Sequence, residues 1–337
     1  MLPLIGITMG DPAGIGPEVT LKAVLKKPSK CRLVVLGDLG ALQDTARQLG
    51  IQLRPIAWEP TLAYPRVVGT LPVIELSRLE SAQRRPGQPT SMGGETSYRY
   101  VETAVRLAQD NVLHGIVTAP ISKAMWHAAG RDYPGHTELL ATLTQTPEVR
   151  MMLVGRRLRV ILVTTHLALA QVPAALSSQR IAKTIEMTAE HLARFHGIGQ
   201  PRLAVAGLNP HAGEAGAFGD EEERIVAPAV QQAREQGFAT EGPFPADTVF
   251  VRASRGEFDG VICLYHDQGL IPLKLLSWED GVNVTLGLPI VRTSPDHGTA
   301  FDIAGQGKAD PRSMRAALTL AVRMTQHRST HESSHLS

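Results

Sequence analysis

The sequence predicts an α/β fold, and two observations carry that reading. Short apolar runs recur along the chain: LIGIT (4–8), RLVVLG (32–37), GIVTAP (115–120), RVILVTT (159–165), RLAVAGLN (202–209), GVICLY (260–265) and VNVTLG (282–287). Most are apolar on both faces, as strands of a parallel sheet covered by helices must be. Between them lie amphipathic segments. Over 178–196, Ile181, Ile185, Ala189, Leu192 and Phe195 fall on one helical stripe. Over 311–326, Met314, Ala317, Leu318, Ala321 and Met324 do the same, with Asp310 placed to cap and Pro311 at the first helical position. Alternating strands and helices predict an α/β architecture.

Length and composition narrow the classes. The 337 residues favour two domains; 43% hydrophobic and 20% charged content is that of a soluble globular chain. Lys plus Arg (34) nearly balances Asp plus Glu (32), leaving +2, so neither nucleic acid nor an anionic membrane is expected as partner. The start, MLPLIGITMGDP, has no basic segment and meets Asp11 and Pro12 early, which predicts no signal peptide. No run reaches the roughly 18 apolar residues a membrane span needs. A cytoplasmic protein is expected. Cys31 and Cys263 lie far apart beside apolar runs and read as buried, reduced thiols. The segment SAQRRPGQPTS (81–91) reads as an exposed loop. The final QHRSTHESSHLS (326–337) reads as a frayed polar tail, in which His331 and His335 lack the apolar support of a metal-binding helix.

Several stretches can carry chemistry. The first strand runs into GDPAGIGPE (10–18) and then a helix, a turn where glycines admit a ligand close to backbone N–H groups; it is equally a turn that only packs. Its spacing is not GxGxxG, so the dinucleotide fingerprint does not apply. His166, His211 and His266 each stand just beyond the C-terminal end of a predicted strand, the edge where ligands collect in α/β sheets. Alone, such a histidine serves a loop or cap; three in the same placement can bind a divalent metal and leave a position open. Asp247 and Asp267 are carboxylates near them. Lys274, Asn283 and Arg292, in or beside the last strands, are either solvated surface or groups that hold an anion. In GHTELL (135–140), Thr137 is a helix cap, or its hydroxyl and the His136 ring face a ligand. SPDHGTAFDIAGQGKADP (294–311) is too glycine-rich for a core element and too regular for a linker.

Taken together, MGDPAGIGPE, TAPISK (118–123), YPGHTELL (133–140), TTHLAL (164–169), GLNPHAGE (207–214), YHDQGLIPLK (265–274) and the 294–311 segment resemble the 4-hydroxythreonine-4-phosphate dehydrogenase family of pyridoxal 5'-phosphate biosynthesis, over roughly residues 1–327. The resemblance implies two α/β/α domains with a central cleft, like isocitrate and isopropylmalate dehydrogenases. It implies a cofactor-side domain of residues 1–128 plus 297–327, a substrate, metal and dimerisation domain of 129–296, and a flexible tail of 328–337. It implies a homodimer whose active site lies at the subunit interface. His166, His211 and His266 match the family's metal ligands, for one divalent ion per site (Zn, Mg or Co), drawn from both subunits. His136, Thr137, Lys274, Asn283 and Arg292 match its contacts to a small phosphorylated hydroxy acid. The 297–311 loop has the form that wraps the adenosine half of NAD or NADP, with Gly298, Thr299 and Asp302 facing the cofactor and Gly14 near it. Asp247 is the first carboxylate to consider as base, with Asp267 and Lys274 behind it.

The implied reaction is oxidation of 4-phosphooxy-L-threonine at C3. The product, a β-keto acid, decarboxylates to 3-amino-2-oxopropyl phosphate. Two further readings stay open. One is a related dehydrogenase of 4-phospho-D-erythronate or D-threonate 4-phosphate. The other is a metallohydrolase or lyase using the three histidines, against which the 297–311 loop argues.

Overall fold

The computed structural model describes residues 2–26, 28, 30–65 and 67–334. Its strands are β1 (Leu4–Thr8), β2 (Arg32–Asp38), β3 (Arg54–Ala57), β4 (Thr70–Ser77), β5 (Gly115–Thr118), β6 (Arg150–Val154), β7 (Arg159–Leu162), β8 (Leu203–Ala206), β9 (Thr240–Phe244), β10 (Gly260–Cys263), β11 (Val282–Leu286) and β12 (Arg292–Pro295). Its helices are α1 (Gly16–Leu25), α2 (Leu39–Gln48), α3 (Ser91–Gln109), α4 (Lys123–Ala128), α5 (His136–Leu143), α6 (Val172–Ala175), α7 (Ser178–His196), α8 (Ala227–Glu235), α9 (Ala246–Ser254), α10 (His266–Ser277) and α11 (Arg312–Ser334). The alternation predicts α/β, and α/β is found. Two compact units divide the chain: Met1–Glu148 with Leu288–Gln326, and Val149–Gly287 with the chain from His327.

In the first unit the strand order is β3-β4-β2-β1-β5-β12, parallel throughout. Ile5, Ile7, Val34, Leu36, Val73 and Val117 are buried, so both faces of the sheet are covered. Asp38 caps α2 by accepting the Ala41 N–H at 2.8 Å, and Thr90 caps α3 by accepting that of Gly93 at 3.0 Å. The 81–91 loop is mostly exposed, but Arg84 is anchored, donating to Asp44 Oδ2 at 2.8 Å and the Leu79 carbonyl at 2.6 Å.

In the second unit the order is β11-β6-β7-β10-β8-β9. Here the all-parallel expectation needs correction: β6 runs antiparallel to both β7 and β11. The β6–β7 connection is a tight turn closed by Gly155 N–H to the Leu158 carbonyl at 2.9 Å, too short for a parallel crossover. The stripe of α7 is buried as read, and Ser177 caps its start by accepting the Arg180 N–H at 3.2 Å.

Five strands escape the sequence reading. β3, β4 and β9 each contain a proline, which argues against a strand interior; β3 and β9 are edge strands, where a missing N–H is tolerated. β12, RTSP, is polar and short, and β6, RMMLV, is not among the apolar runs assigned from sequence. Asp310 Oδ1 accepts the Arg312 N–H at 2.9 Å where α11 begins. That helix continues to Ser334, past the residue where the sequence reading ends its last element. His335, in the polar tail, lies outside the described residues. Cys31 and Cys263 are both buried thiols, as expected. Among the described residues no helix is long and apolar enough to cross a membrane.

Candidate functional site

The three histidines share one edge of the second unit. β7, β10 and β8 are adjacent and parallel, so their C-terminal ends lie side by side. His166 follows β7, His266 opens α10 directly after β10, and His211 lies in the turn after β8. The rings of His166 and His266 are 5.7 Å apart between centroids. His266 Nδ1 pairs with Asp267 Oδ1 at 2.7 Å, a contact that engages one ring nitrogen and leaves Nε2 as the one that could ligate. Asp267 thus contacts the imidazole of His266 directly. The His211 ring lies 6.0 Å from that of Phe218. Among the described residues no three His, Cys, Asp or Glu side chains gather into a metal-holding group within the chain. Imidazoles at strand ends, one braced by a carboxylate, are nonetheless a donor set that suits a divalent ion.

The turn carrying His211 is unusual. His211, Ala212, Gly213, Glu214, Ala215 and Gly216 all have positive φ, between 43° and 88°. Side chains with a Cβ rarely adopt that region even singly, and each instance costs of order 1–3 kcal/mol. The surroundings must hold the run in place. Two residues do so that the sequence reading missed. Gln268 Nε2 donates to the Gly207 carbonyl at 2.6 Å while its Oε1 accepts the Leu264 N–H at 2.7 Å, tying the end of β8 to the end of β10. Glu222, buried at 3% exposure, binds the chain just ahead of His211. α9, whose first turn carries the exposed Asp247, packs on the turn Pro210–Gly213.

In the first unit the glycine-rich turn and the 297–311 loop meet. The Ile15 N–H donates to the Thr299 carbonyl at 2.9 Å, and a Cβ on Gly14 would lie 3.0 Å from that same oxygen. Gly16 is required by packing, since a Cβ there would come within 2.1 Å of the Met9 carbonyl. The far end of the loop is clamped to α1. Glu18 accepts the Ala309 N–H at 2.9 Å, and Lys22 Nζ donates to the Gly307 and Ala309 carbonyls at 2.7 and 2.9 Å. Gly298 faces open space, and Asp302 is exposed at the turn Phe301–Ile303. A pinned loop with an open glycine and an exposed carboxylate fits a nucleotide laid against it. Beside it Asp11 is fully buried; Oδ1 accepts the Ala13 N–H at 2.9 Å, Oδ2 has no partner, and burial raises the group to about 6.

The anion-binding candidates divide between the units. In the first, Arg292 is buried and donates to Thr118 Oγ1 at 2.8 Å; burial lowers it to about 10, with Glu138 opposing. His136 and Thr137 open α5 behind Gly135, which supplies no side-chain cap. His136 Nε2 is enclosed without a hydrogen-bond partner. Burial, then the charges of Arg292 and Lys123, hold the ring well below its ordinary value, so it is neutral. In the second unit Lys274 Nζ lies 5.6 Å over the Trp278 ring, and Asn283 Oδ1 is buried with no partner.

Comparison with known proteins agrees across the whole chain. A 4-hydroxythreonine-4-phosphate dehydrogenase of Desulforapulum autotrophicum is 49% identical over 323 residues, 95% of each chain. A D-threonate 4-phosphate dehydrogenase of Cupriavidus necator is 46% identical, covering 97% of this chain and 98% of that one. The crystal structure of 4-hydroxythreonine-4-phosphate dehydrogenase from Klebsiella pneumoniae superposes with a TM-score of 0.88 at 44% identity, over 96% of this chain and all of that one. The family profile described as pyridoxal phosphate biosynthetic protein PdxA matches residues 29–321. The chain belongs to the PdxA family.

Proposed function

We propose that this chain oxidises the C3 hydroxyl of 4-phosphooxy-L-threonine with NAD⁺ or NADP⁺, yielding 2-amino-3-oxo-4-phosphooxybutanoate, which loses CO₂ to give 3-amino-2-oxopropyl phosphate. The observation that carries the reading is the set of histidines on three adjacent parallel strand ends, in a chain 49% identical to a relative named for this activity. His166, His211 and His266 would hold a divalent ion that would supply Lewis acidity to the hydroxyl, and a nicotinamide cofactor would supply the hydride acceptor.

The chain's own residues do the rest. His136, Thr137, Arg292, Lys274 and Asn283 are the side chains this reading assigns to binding the phosphate and carboxylate and orienting C3. His136 does so as a neutral ring. The orphaned Asn283 Oδ1 accepts a donor from the substrate. Asp247 or Lys274 takes the hydroxyl proton as C3 is oxidised. Gly14, Gly298, Thr299 and Asp302 hold the adenosine half of the cofactor. α10 carries Ile271, Leu275 and Leu276 largely exposed, with Trp278 just past its end, an apolar surface that supports pairing of two copies into a homodimer. In that pairing the histidines of both copies complete the metal set.

A second substrate has its own support: the Cupriavidus relative, 46% identical, is named for D-threonate 4-phosphate. That acid keeps the phosphate, secondary alcohol and carboxylate but replaces the amine with a hydroxyl. NADH formation by metal-loaded protein on 4-phosphooxy-L-threonine, D-threonate 4-phosphate and 4-phospho-D-erythronate decides between them. A kcat/KM highest on the first supports the main reading. Turnover of the sugar acids alone moves the protein to that chemistry with fold and site unchanged.

A further inference from the structure

Lys123 lies in the TAPISK segment, which leaves β5 at Thr118 and enters α4. Ser122 caps that helix by accepting the Met125 N–H at 3.3 Å, so Lys123 holds its first helical position. The side chain runs along the start of α5. Its Cε and Nζ lie 3.4 and 3.9 Å from where a Cβ on Gly135 would sit. The two helices are packed here, with the Trp126 and His136 rings edge-on at 5.6 Å. Thr118, from the same segment, accepts the Arg292 guanidinium.

Around the start of α5 the chain therefore gathers a buried guanidinium, an exposed ammonium, an enclosed imidazole nitrogen with no partner, and the N–H groups of an uncapped helix start. Burial together with both cations keeps His136 neutral, which places both charges near the ring. One carboxylate, Glu138, faces them, and it supports the charge on Arg292. It forms no ion pair with Lys123, and the ammonium has no partner among the described residues. A cation left unpaired next to a second, buried cation is arranged for a dianion.

We propose that Lys123 binds the phosphate group of the substrate, as a third element of the anion site formed by Arg292 and the His136–Thr137 helix start. The inference rests on the phosphorylated-acid reading above. The long stem of Lys123 lets its ammonium close on the phosphate from the solvent side, while Arg292 holds it from within the fold.

The test uses Lys123→Met, which keeps the stem and removes the charge, and Lys123→Arg, which keeps the charge. Inorganic phosphate is titrated calorimetrically into each metal-loaded protein, and steady-state kinetics are run on the phosphorylated acids. Expected for Lys123→Met is roughly 10- to 100-fold weaker phosphate binding and a matching rise in KM, with kcat and the KM for NAD⁺ little changed. Lys123→Arg should recover most of the phosphate affinity. Unchanged phosphate affinity in Lys123→Met, or a loss confined to kcat, overturns the role of Lys123 and leaves the dehydrogenase reading intact. A wild type that binds no phosphate overturns it too. Lys123-dependent phosphate binding with no turnover of any of the three acids overturns the dehydrogenase reading and leaves the anion site standing.

Discussion

Glu222 grips Asn209 at both ends of its side chain and backbone. Oε1 accepts the backbone N–H of Asn209 at 2.7 Å, along with that of Leu208 at 2.7 Å, and Oε2 accepts Asn209 Nδ2 at 3.0 Å. The left-handed run begins two residues later, at His211. A buried carboxylate that satisfies three donors is how this turn stays in a conformation its residues disfavour. Glu222→Gln puts an amide N–H against Asn209 Nδ2. It should cost about 1–3 kcal/mol in chemical denaturation and weaken Zn²⁺ or Co²⁺ binding measured by titration. Wild-type metal affinity in that variant would detach the turn from metal binding.

Arg292 should govern affinity rather than fold. Its guanidinium is buried and donates to Thr118 Oγ1 beside the start of α5. Arg292→Ala should raise KM for the phosphorylated substrate roughly 10- to 100-fold. An unchanged KM would remove Arg292 from the anion site.

Asp302 should act on the cofactor alone. Its carboxylate is exposed beside Gly298 on a loop clamped by Glu18 and Lys22. Asp302→Ala should raise the KM for NAD⁺ by about tenfold and leave the KM for the acid in place. The reverse pattern would assign the loop to substrate.

Acid should destabilise the second unit through His191 and His196. Their rings are 5.5 Å apart and each has a buried Nε2 without a partner. Burial foremost, with Arg159 and His327 adding to it, pushes His196 down to about 3 from an ordinary 6.5. The unfolded histidine binds a proton below 6.5 and the folded one does not until about 3. The stability from the neutral ring is therefore complete above 6.5 and is lost progressively as pH falls toward 3. His196→Gln should flatten the fall in Tm between about pH 7 and pH 4. A slope equal to wild type would place the acid sensitivity elsewhere.

Much of this is legible in sequence because it follows local patterning. The buried strands announce themselves as apolar runs, and α7 by its stripe from Ile181 to Phe195. The placement of His166, His211 and His266 after strands also reads directly, since each immediately follows such a run. Other features depend on partners far along the chain. Glu222 and Gln268 matter because they reach Asn209 and Gly207, and Lys123 because it runs past Gly135. Nothing in the residues near them signals those meetings. The left-handed turn at 211–216 is invisible for the same reason: only two of its six residues are glycine, and its conformation is imposed from outside. The edge strands β3 and β9 hide because their prolines, Pro55 and Pro243, argue locally against strand.

The proposed reaction is a nicotinamide-dependent oxidation that requires a metal at the histidines. The measurement that bears on it most directly follows NADH formation on a phosphorylated acid before chelation, after exhaustive chelation, and after adding back Zn²⁺ or Co²⁺, with phosphate release monitored in parallel. Expected are NADH before chelation, none after it, and recovery with the ion in wild type but not in His211→Ala. NADH formation indifferent to chelation would contradict the metal's role. Metal-dependent phosphate release without NADH would make the protein a hydrolase instead.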